Sequence, residues 1–161
     1  LENAPKVATL RRLLGVVFRN QKRYEEAANM FQQAIDLDPE NLEVYYNLAN
    51  LRFDQGRLED ASKLYRHVLQ HNSSDLRAIY NLCDTVVRLG QFHEAIQVCE
   101  EGLRLSPDQG NFYYPLARAQ ESLGRYRDAA NSYRNLLQAD IPSTLRSRVM
   151  KKLDRYKGAG D

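Results

Sequence analysis

Two histidines and two cysteines are the residues whose types and spacing suggest chemistry. His67 and His71 lie four residues apart, and on a helix this spacing places two imidazoles on one face, as in many zinc sites. No cysteine or carboxylate pair nearby completes a ligand set, so we interpret the pair as part of an exposed helix face and expect no metal. Cys83 and Cys99 fall at apolar positions and are interpreted as small core residues rather than a disulfide framework. Their pattern favours a reducing, cytoplasmic compartment only weakly, and the localisation is otherwise open.

Catalytic constellations are not evident in the sequence. It contains no glycine-rich phosphate loop, no nucleophile elbow, and no Cys-His or Ser-His-Asp arrangement that the helical pattern would bring together. We therefore expect no catalytic residues, no cofactor and no small-molecule substrate, and we predict that the chain is not an enzyme.

The composition limits the classes of partner. The 161 residues carry a formal net charge of +2, with 43% hydrophobic and 27% charged residues, so a protein that binds polyanions such as nucleic acid is not indicated. No apolar run is long enough to cross a bilayer and no signal peptide is evident, so membrane insertion is not expected. The chain begins with Leu1 rather than Met, which is typical of a processed or excised piece.

One sequence pattern occurs four times along the chain. The segment RYEEAANMFQQAIDLDP, which starts at Arg23, has counterparts that start at Arg57, Gln91 and Arg125, each 34 residues after the last. Each copy carries two blocks of apolar residues at helical spacing with a short break between them, which predicts two antiparallel helices. The repeats so defined are residues 8–41, 42–75, 76–109 and 110–143.

Columns of small residues predict how the two helices of a pair pack. Close crossing of helices requires side chains no larger than a methyl group. The second helix supplies one alanine in every copy: Ala27, Ala61, Ala95 and Ala129. The first helix supplies a facing column: Gly15, Ala49, Cys83 and Ala117. In the break, glycines suit a left-handed helix end at three copies and Lys22 stands there in the first, at some cost in backbone strain.

With these columns the chain resembles a tetratricopeptide repeat (TPR) array. The family's pattern, W-x2-L-G-x2-Y followed by A-x3-F and a closing proline, is matched in the first copy by Leu14, Gly15, Phe18, Ala27, Phe31 and Pro39. The resemblance covers about 136 residues and implies an all-α, right-handed α-solenoid of four helix-turn-helix repeats. The sequence departs from the family in having no tryptophan, and Arg52 and Gln120 stand where an aromatic is expected. We expect these two to loosen the layers between helices without changing the fold.

The resemblance also implies that the first helices line a concave groove that binds peptides. Ten residues of this chain fall at the groove positions: Arg12, Tyr46, Asn47, Asn50, Arg77, Tyr80, Asn81, Asp84, Tyr114 and Arg118. The tyrosines would supply flat contact area, the asparagines hydrogen bonds to a peptide main chain, and the arginines selectivity. The alternative is that these tyrosines and asparagines only support the helices.

Some TPR proteins bind the tails of chaperones through a clamp of lysine, arginine and asparagine side chains. Arg12, Asn47 and Arg77 match part of that clamp in the first three repeats, and Asn50 and Asn81 match part of it in the last three. Neither register is complete, so binding of chaperone tails is not favoured.

The two ends of the chain carry separate predictions. Leu1 and Pro5 fall in the aliphatic and closing-proline columns, so residues 1–7 are interpreted as the tail of a preceding repeat or as a leader. Residues 144–157 predict a capping helix that covers the last open apolar face, and its cations are interpreted as a solvated surface. Residues 158–161 are expected to fray. Pro115 lies early in the first helix of the fourth repeat, where it either occupies the first turn or bends the helix.

We therefore predict a non-catalytic module that binds a peptide segment of a partner protein in the groove. Two alternatives stay open. The chain is a self-associating scaffold, and hence a homo-oligomer, or it is the targeting arm of a larger enzyme such as a TPR-bearing glycosyltransferase.

Overall fold

A computed structural model of the protein describes residues 3–157, and all the regular secondary structure in that range is helical. It consists of nine α-helices and one 3-10 turn within the described range. The chain divides into two compact units, Leu1–Thr85 and Val86–Asp161. No helix among the described residues has the length and apolar character needed to span a bilayer.

The first unit contains two helix pairs and the start of a third. Its helices are α1 (Ala4–Asn20), α2 (Tyr24–Leu37), α3 (Leu42–Asp54), α4 (Leu58–His71) and α5 (Leu76–Arg88), the last of which continues past the boundary at Thr85. A core cluster of this unit is formed by buried apolar residues of α2 and α3, and partly buried apolar residues of α1 and α4 pack against it.

The second unit contains the remaining helices. They are α6 (Phe92–Leu105), α7 (Tyr113–Ser122), which follows the 3-10 turn Gly110–Phe112, then α8 (Tyr126–Gln138) and α9 (Ser143–Lys157). Its core joins α7, α8 and α9 around Tyr133 and Val149. The second helices of the four predicted repeats begin at Tyr24, Leu58, Phe92 and Tyr126. These starts are 34 residues apart, as are the copies of the sequence pattern.

The turn inside each pair uses a left-handed residue at the predicted position. Gly56, Gly90 and Gly124 have φ values of +73°, +75° and +73°. Lys22 takes the same conformation with φ of +60°, although its Cβ makes this region unfavourable. The backbone N–H of the next residue then donates to a carbonyl of the last helical turn, as from Arg57 to Arg52.

Close approach of paired helices explains the small-residue columns. The four second-helix alanines are completely buried. At Gly15 a Cβ would lie 2.5 Å from Cε1 of Phe31 on α2, so no larger residue fits while the phenyl ring stays in place. The aromatic ring fills the space that glycine leaves on α1.

Arg52 and Gln120 stand where the family pattern has an aromatic residue, and both form side-chain hydrogen bonds. Arg52 donates from Nη1 to Oε1 of Gln55 at 2.9 Å. Gln120 is buried, and its Oε1 accepts from the hydroxyl of buried Ser132 at 2.8 Å. Polar pairs thus replace an aromatic contact without interrupting the helices.

Pro115 occupies the first turn of α7. It is the third residue of this helix, a position whose N–H has no partner within the helix, and its ring is buried. The sequence allowed a proline either in the first turn or at a bend of the helix, and the structure shows the proline in the first turn.

The ends of the described chain are both helical. Helix α1 begins at Ala4, so Pro5 lies in its first turn rather than at the end of an earlier helix. Leu1 and the four residues expected to fray lie outside the described residues, and the assignment of residues 1–7 stays a prediction. Helix α9 buries Val149 against Ala117, Ala129 and Leu136, as expected of a capping helix.

The cysteines correct the interpretation made from the sequence. Cys83 and Cys99 are both disulfide-bonded, and none of the described residues is a free cysteine. Both side chains are fully buried, as expected of small core residues, but their apolar surroundings gave no sign of the bond. The weak argument for a reducing compartment therefore no longer holds.

Candidate functional site

A pocket of about 270 Å³ lies in the first unit, where the first helices carry their predicted groove residues. Helices α1, α3 and α5 contribute to it, together with one side chain from α4. The lining residues are Arg19, Tyr46, Asn50, Phe53, Asp54, Tyr65 and Asn81.

Two asparagines and two tyrosines form a hydrogen-bond network in this pocket. Nδ2 of Asn81 donates to Oδ1 of Asn50 at 2.8 Å and to the hydroxyl of Tyr46 at 3.1 Å. Oδ1 of Asn50 also accepts from the hydroxyl of Tyr65 at 2.7 Å. The network joins three helices and fixes the orientation of both amides.

Tyr65 of α4 is the most deeply buried member of this network. It is 1% exposed, and its ring lies 6.1 Å from that of Tyr46. Burial, and next the proximity of Tyr46, raise the pKa of the Tyr65 hydroxyl well above its ordinary value. The hydroxyl therefore stays protonated and acts as the donor that holds Asn50.

An ion pair forms one edge of the pocket. Nε of Arg19 on α1 donates to Oδ2 of Asp54 on α3 at 2.6 Å. Both side chains are partly exposed, so the pair contributes more to positioning than to stability.

Arg77 at the start of α5 is held by two carboxylates and one ring. Its guanidinium donates to both oxygens of Glu43 at 3.0 Å and to Oδ2 of Asp75 at 3.0 Å. It also stacks 4.7 Å from the centre of the Tyr46 ring. The hydrogen bond with Glu43, and next that with Asp75, raise the pKa of Arg77 above its ordinary value. Two negative charges thus face one positive charge at this position.

Asp75 also caps helix α5. Its Oδ1 accepts from the backbone N–H groups of Arg77 at 3.0 Å and Ala78 at 3.2 Å. Burial acts to raise the pKa of the Asp75 carboxyl, but the hydrogen bonds from Arg77 and the backbone lower it below its ordinary range.

The structure brings together part of the predicted groove set. Tyr46, Asn50 and Asn81 line the pocket, and Arg77 stacks on Tyr46. Asn47 does not join them, because it is buried and donates to the carbonyl of Glu43 in its own helix at 2.6 Å.

The other predicted groove residues of the first unit lie outside the pocket lining. Arg12 is half-buried on α1, and Tyr80 and Asp84 are half-buried on α5.

The last two predicted residues belong to the second unit. Tyr114 and Arg118 are half-buried on α7, and the ring of Tyr114 lies 6.4 Å from that of Tyr133. The polar centre of this unit is instead Glu121, which accepts from Nζ of Lys152 at 2.6 and 2.7 Å and from the hydroxyl of Tyr133 at 3.1 Å.

Four pocket residues were not in the predicted set: Arg19, Phe53, Asp54 and Tyr65. Arg19 and Asp54 fall at groove positions of the family pattern, and the sequence places both among the mixed charges of the groove, although not among the ten predicted site residues. Tyr65 lies on a second helix, where the pattern assigns it to the core. Only its long side chain brings the hydroxyl to the pocket.

The two histidines pack against each other on α4. Their rings lie 4.7 Å apart, and His67 packs against the ring of Tyr45 at 4.4 Å. No group of three or more potential ligands that could hold a metal occurs in the part of the chain that the structure describes.

Two family models match the sequence. The model of the tetratricopeptide repeat matches residues 19–84, and that of anaphase-promoting complex, cyclosome, subunit 3 matches residues 54–136. No curated protein matches the chain by sequence.

Several solved structures share the fold. The crystal structure of MamA protein is 18% identical with a TM-score of 0.84, covering 99% of this chain and 85% of that one. YrrB, a TPR protein with an unusual peptide-binding site, is 18% identical with a TM-score of 0.79, covering 89% and 74%. MamA 41-end from Desulfovibrio magneticus RS-1 is 18% identical with a TM-score of 0.77, covering 81% and 74%. These matches confirm the predicted fold class, an all-α solenoid of TPR-like helix pairs.

Proposed function

Because the chain belongs to the tetratricopeptide repeat family, we propose that it is a non-catalytic protein-interaction module that holds a peptide segment of a partner protein. The peptide binds in the pocket of the first unit, across helices α1, α3 and α5. One structural neighbour, YrrB, is a TPR protein with a peptide-binding site, which supports the same use of the fold here.

The paired amides of Asn50 and Asn81 are the observation that carries this proposal. The network uses Oδ1 of Asn50 and Nδ2 of Asn81. It leaves Nδ2 of Asn50 as a donor and Oδ1 of Asn81 as an acceptor, and a peptide main chain offers the complementary pair. Because both amides are held in place before binding, a ligand orders few side chains when it binds.

The size of the pocket favours a side chain over a free small molecule. Its volume of about 270 Å³ falls below the roughly 300–1,000 Å³ typical of small-molecule sites. Tyr46 and Phe53 supply apolar surface beside the amides. A peptide with one apolar side chain in the pocket and its main chain against the amides fits this lining.

The charges around the pocket indicate a peptide without a strong net charge. Arg19 is paired with Asp54, and Arg77 is paired with two carboxylates. The selectivity that we expected from Arg77 therefore does not come from an unpaired positive charge. An acidic tail of the kind that a carboxylate clamp binds would have to displace Glu43 and Asp75 from that guanidinium.

Peptide selection on the intact chain tests the proposal. A phage-displayed library of random dodecamers is panned on the immobilised wild-type protein, and selected peptides are measured by fluorescence anisotropy. We expect Asn50→Ala with Asn81→Ala to weaken binding at least tenfold, because each alanine removes a main-chain hydrogen bond. The matched control is Asn135→Ala, on the exposed face of α8, which should bind as the wild type does.

Circular dichroism establishes that each variant is folded at the assay temperature. Equal peptide affinity of the folded double variant and the wild type would overturn the proposed site. Failure to select any peptide from the library would argue against peptide binding by this unit altogether.

A further inference from the structure

Helix α9 carries a stripe of exposed cations. Arg148, Lys151 and Arg155 are spaced i, i+3 and i+7, which places them within about 60° of the helix circumference. All three residues are exposed, and they are called the basic stripe below. The opposite side of the helix packs on the core of the second unit through Val149.

Two other cations of α9 have partners inside the second unit. Arg146 donates to the carbonyls of Leu137 at 3.0 Å and Ala139 at 3.3 Å. Lys152 donates to both carboxylate oxygens of Glu121. The basic stripe, by contrast, forms no ion pair and no side-chain hydrogen bond with any side chain that the structure describes. Its positive charge is therefore available to a ligand.

Elsewhere the chain neutralises exposed arginines locally. Four arginines pair with a carboxylate three positions away: Arg23 with Glu26, Arg57 with Asp60, Arg104 with Glu101, and Arg125 with Asp128. No acid stands three or four positions from Arg148 or Arg155 in the sequence. Helix α9 contains a single acidic residue, Asp154, so the stripe keeps a net positive charge.

The basic stripe occupies positions that face the peptide pocket on α5. Val149 of α9 and Leu82 of α5 are both buried, and each has apolar residues four positions before and after it. Aligning the two helices on this pattern places Arg148 at the position of Asn81 and Lys151 at that of Asp84. Since Asn81 lines the pocket of the first unit, the stripe corresponds to a ligand-binding face of a helix.

Helix α7 supplies the aromatic part of the same arrangement. Tyr114 lies two repeats after Tyr46, and each ring packs near a buried tyrosine of the following helix, at 6.4 and 6.1 Å. The second unit thus repeats the tyrosine pair of the pocket, but Arg148 stands where the pocket has Asn81. A permanent positive charge in place of a neutral amide selects a different ligand.

We propose that the basic stripe binds an acidic peptide segment of a partner protein. Guanidinium groups bind carboxylates through two parallel hydrogen bonds, as Arg77 and Glu43 do in this chain. The stripe extends over about 10 Å at the rise of an α-helix. An extended peptide covers this length with about four residues, so a short acidic run is sufficient.

An acidic peptide fits the stripe better than a nucleic acid does. Binding to a nucleic acid depends on many phosphate contacts, and three cations supply few of them. The net charge of the whole chain is only +2, and Asp154 adds a negative charge to the same helix. This site differs from the pocket of the first unit in its residues and in the charge of its ligand.

Fluorescence anisotropy on the intact chain tests the inference, with a labelled dodecapeptide of alternating glutamate and alanine as the probe. We expect the probe to bind Arg148→Gln with Arg155→Gln roughly tenfold more weakly than the wild type at low salt. The matched control is Arg127→Gln with Arg134→Gln on α8, which removes two exposed arginines of the same unit and the same net charge. It should bind as the wild type does.

Further measurements separate this site from the peptide pocket. A probe with glutamine in place of glutamate should not bind, and high salt should weaken binding of the acidic probe. Asn50→Ala with Asn81→Ala should bind the acidic probe normally. Peptides selected on the pocket should in turn bind the Arg148 and Arg155 variant normally, so each site can fail without the other. Circular dichroism checks that every variant is folded.

Four results would overturn the inference. The first is equal affinity of the folded Arg148 and Arg155 variant and its α8 control, and the second is no binding of the acidic probe to the wild type at low salt. The third is tighter binding of a labelled oligodeoxythymidine that the same variant abolishes. The fourth is a dimer of the wild type in sedimentation that this variant dissociates, because a second copy would then occupy the stripe.

Discussion

At the residue scale, the orientation of the Asn50 amide depends on the hydroxyl group of Tyr65. Tyr65 is almost completely buried and donates to Oδ1 of Asn50, which in turn accepts from Asn81. A peptide that binds these amides therefore depends on the hydroxyl group that holds them in place.

Replacing Tyr65 by Phe should separate the contribution of its hydroxyl to stability from its contribution to peptide binding. The ring still fills its place in the core, so the loss in stability should be about 1 kcal/mol, the typical value of one hydrogen bond. Freed from the hydroxyl, the Asn50 amide is less well held, and we expect the selected peptides to bind several-fold more weakly. Urea unfolding and anisotropy measure the two quantities.

Tyr126→Phe is the control for this change, because that side chain is 49% exposed. It should alter neither stability nor binding. A Tyr65→Phe protein that binds peptide as tightly as the wild type would show that the hydroxyl does not position Asn50.

At the element scale, helix α9 is attached by both apolar and charged contacts. Val149 is buried among residues of α7 and α8, and Lys152 donates to both oxygens of Glu121 on α7. Burial acts to raise the pKa of the Glu121 carboxyl, but hydrogen bonding by Lys152 lowers it below its ordinary value near 4.5. The carboxylate is thus favoured in the folded state.

This pKa predicts how the attachment of α9 depends on pH. Because the folded pKa of Glu121 is depressed, its contribution to stability is fully present above about pH 4.5 and is lost as the pH falls through the folded pKa. At neutral pH, Glu121→Gln should lower the free energy of unfolding by roughly 1 kcal/mol, since the pair is only partly shielded from solvent. Thermal unfolding from pH 7 to pH 3 should show the difference from wild type shrink towards zero.

Glu59→Gln is a suitable comparison, because Glu59 lies exposed on α4. Its difference from wild type should be small and constant with pH. A Glu121→Gln deficit that persists unchanged at pH 3 would mean that the ion pair with Lys152 is not its source.

At the scale of the whole molecule, positive charge is concentrated in the first and last helices of the described chain. Helix α1 carries four cations and no acid, and α9 carries Arg146, Arg148, Lys151, Lys152, Arg155 and Lys157 against Asp154. Since the net charge of the whole chain is only +2, the helices between them are acidic on balance.

This distribution predicts a monomer at low ionic strength. The exposed apolar residues of α1 and α9 are each accompanied by cations, so contacts between them carry electrostatic repulsion that salt weakens. Sedimentation velocity at about 50 mM salt should show one species of monomer mass. A stable oligomer under these conditions would instead support the self-associating scaffold.

The sequence by itself determined the helices, their pairing and the family. Ala27 and Gly15 leave room for a close helix crossing, and Gly56 adopts a positive φ. These constraints are short-range, and the four copies of the pattern make them visible in the sequence. It also indicated the groove helices, and Tyr46, Asn50 and Asn81 do line the pocket. The disulfide-bonded state of the cysteines could not be read in the same way, because the repeat pattern predicts the burial of a side chain and not the bonding state of its sulfur.

Only the tertiary structure decided what equivalent residues do. Asn47 and Asn81 occupy the same column, yet Asn47 is buried against its own helix while Asn81 bonds to residues of α3. Leu14 and Leu48 also share a column, yet only Leu48 is covered, since α2 packs over it. The repeat pattern fixes where a side chain starts on its helix. Which neighbour it meets depends on side chains and helices that are distant in the sequence, and that is why equivalent positions differ in burial and in hydrogen bonding.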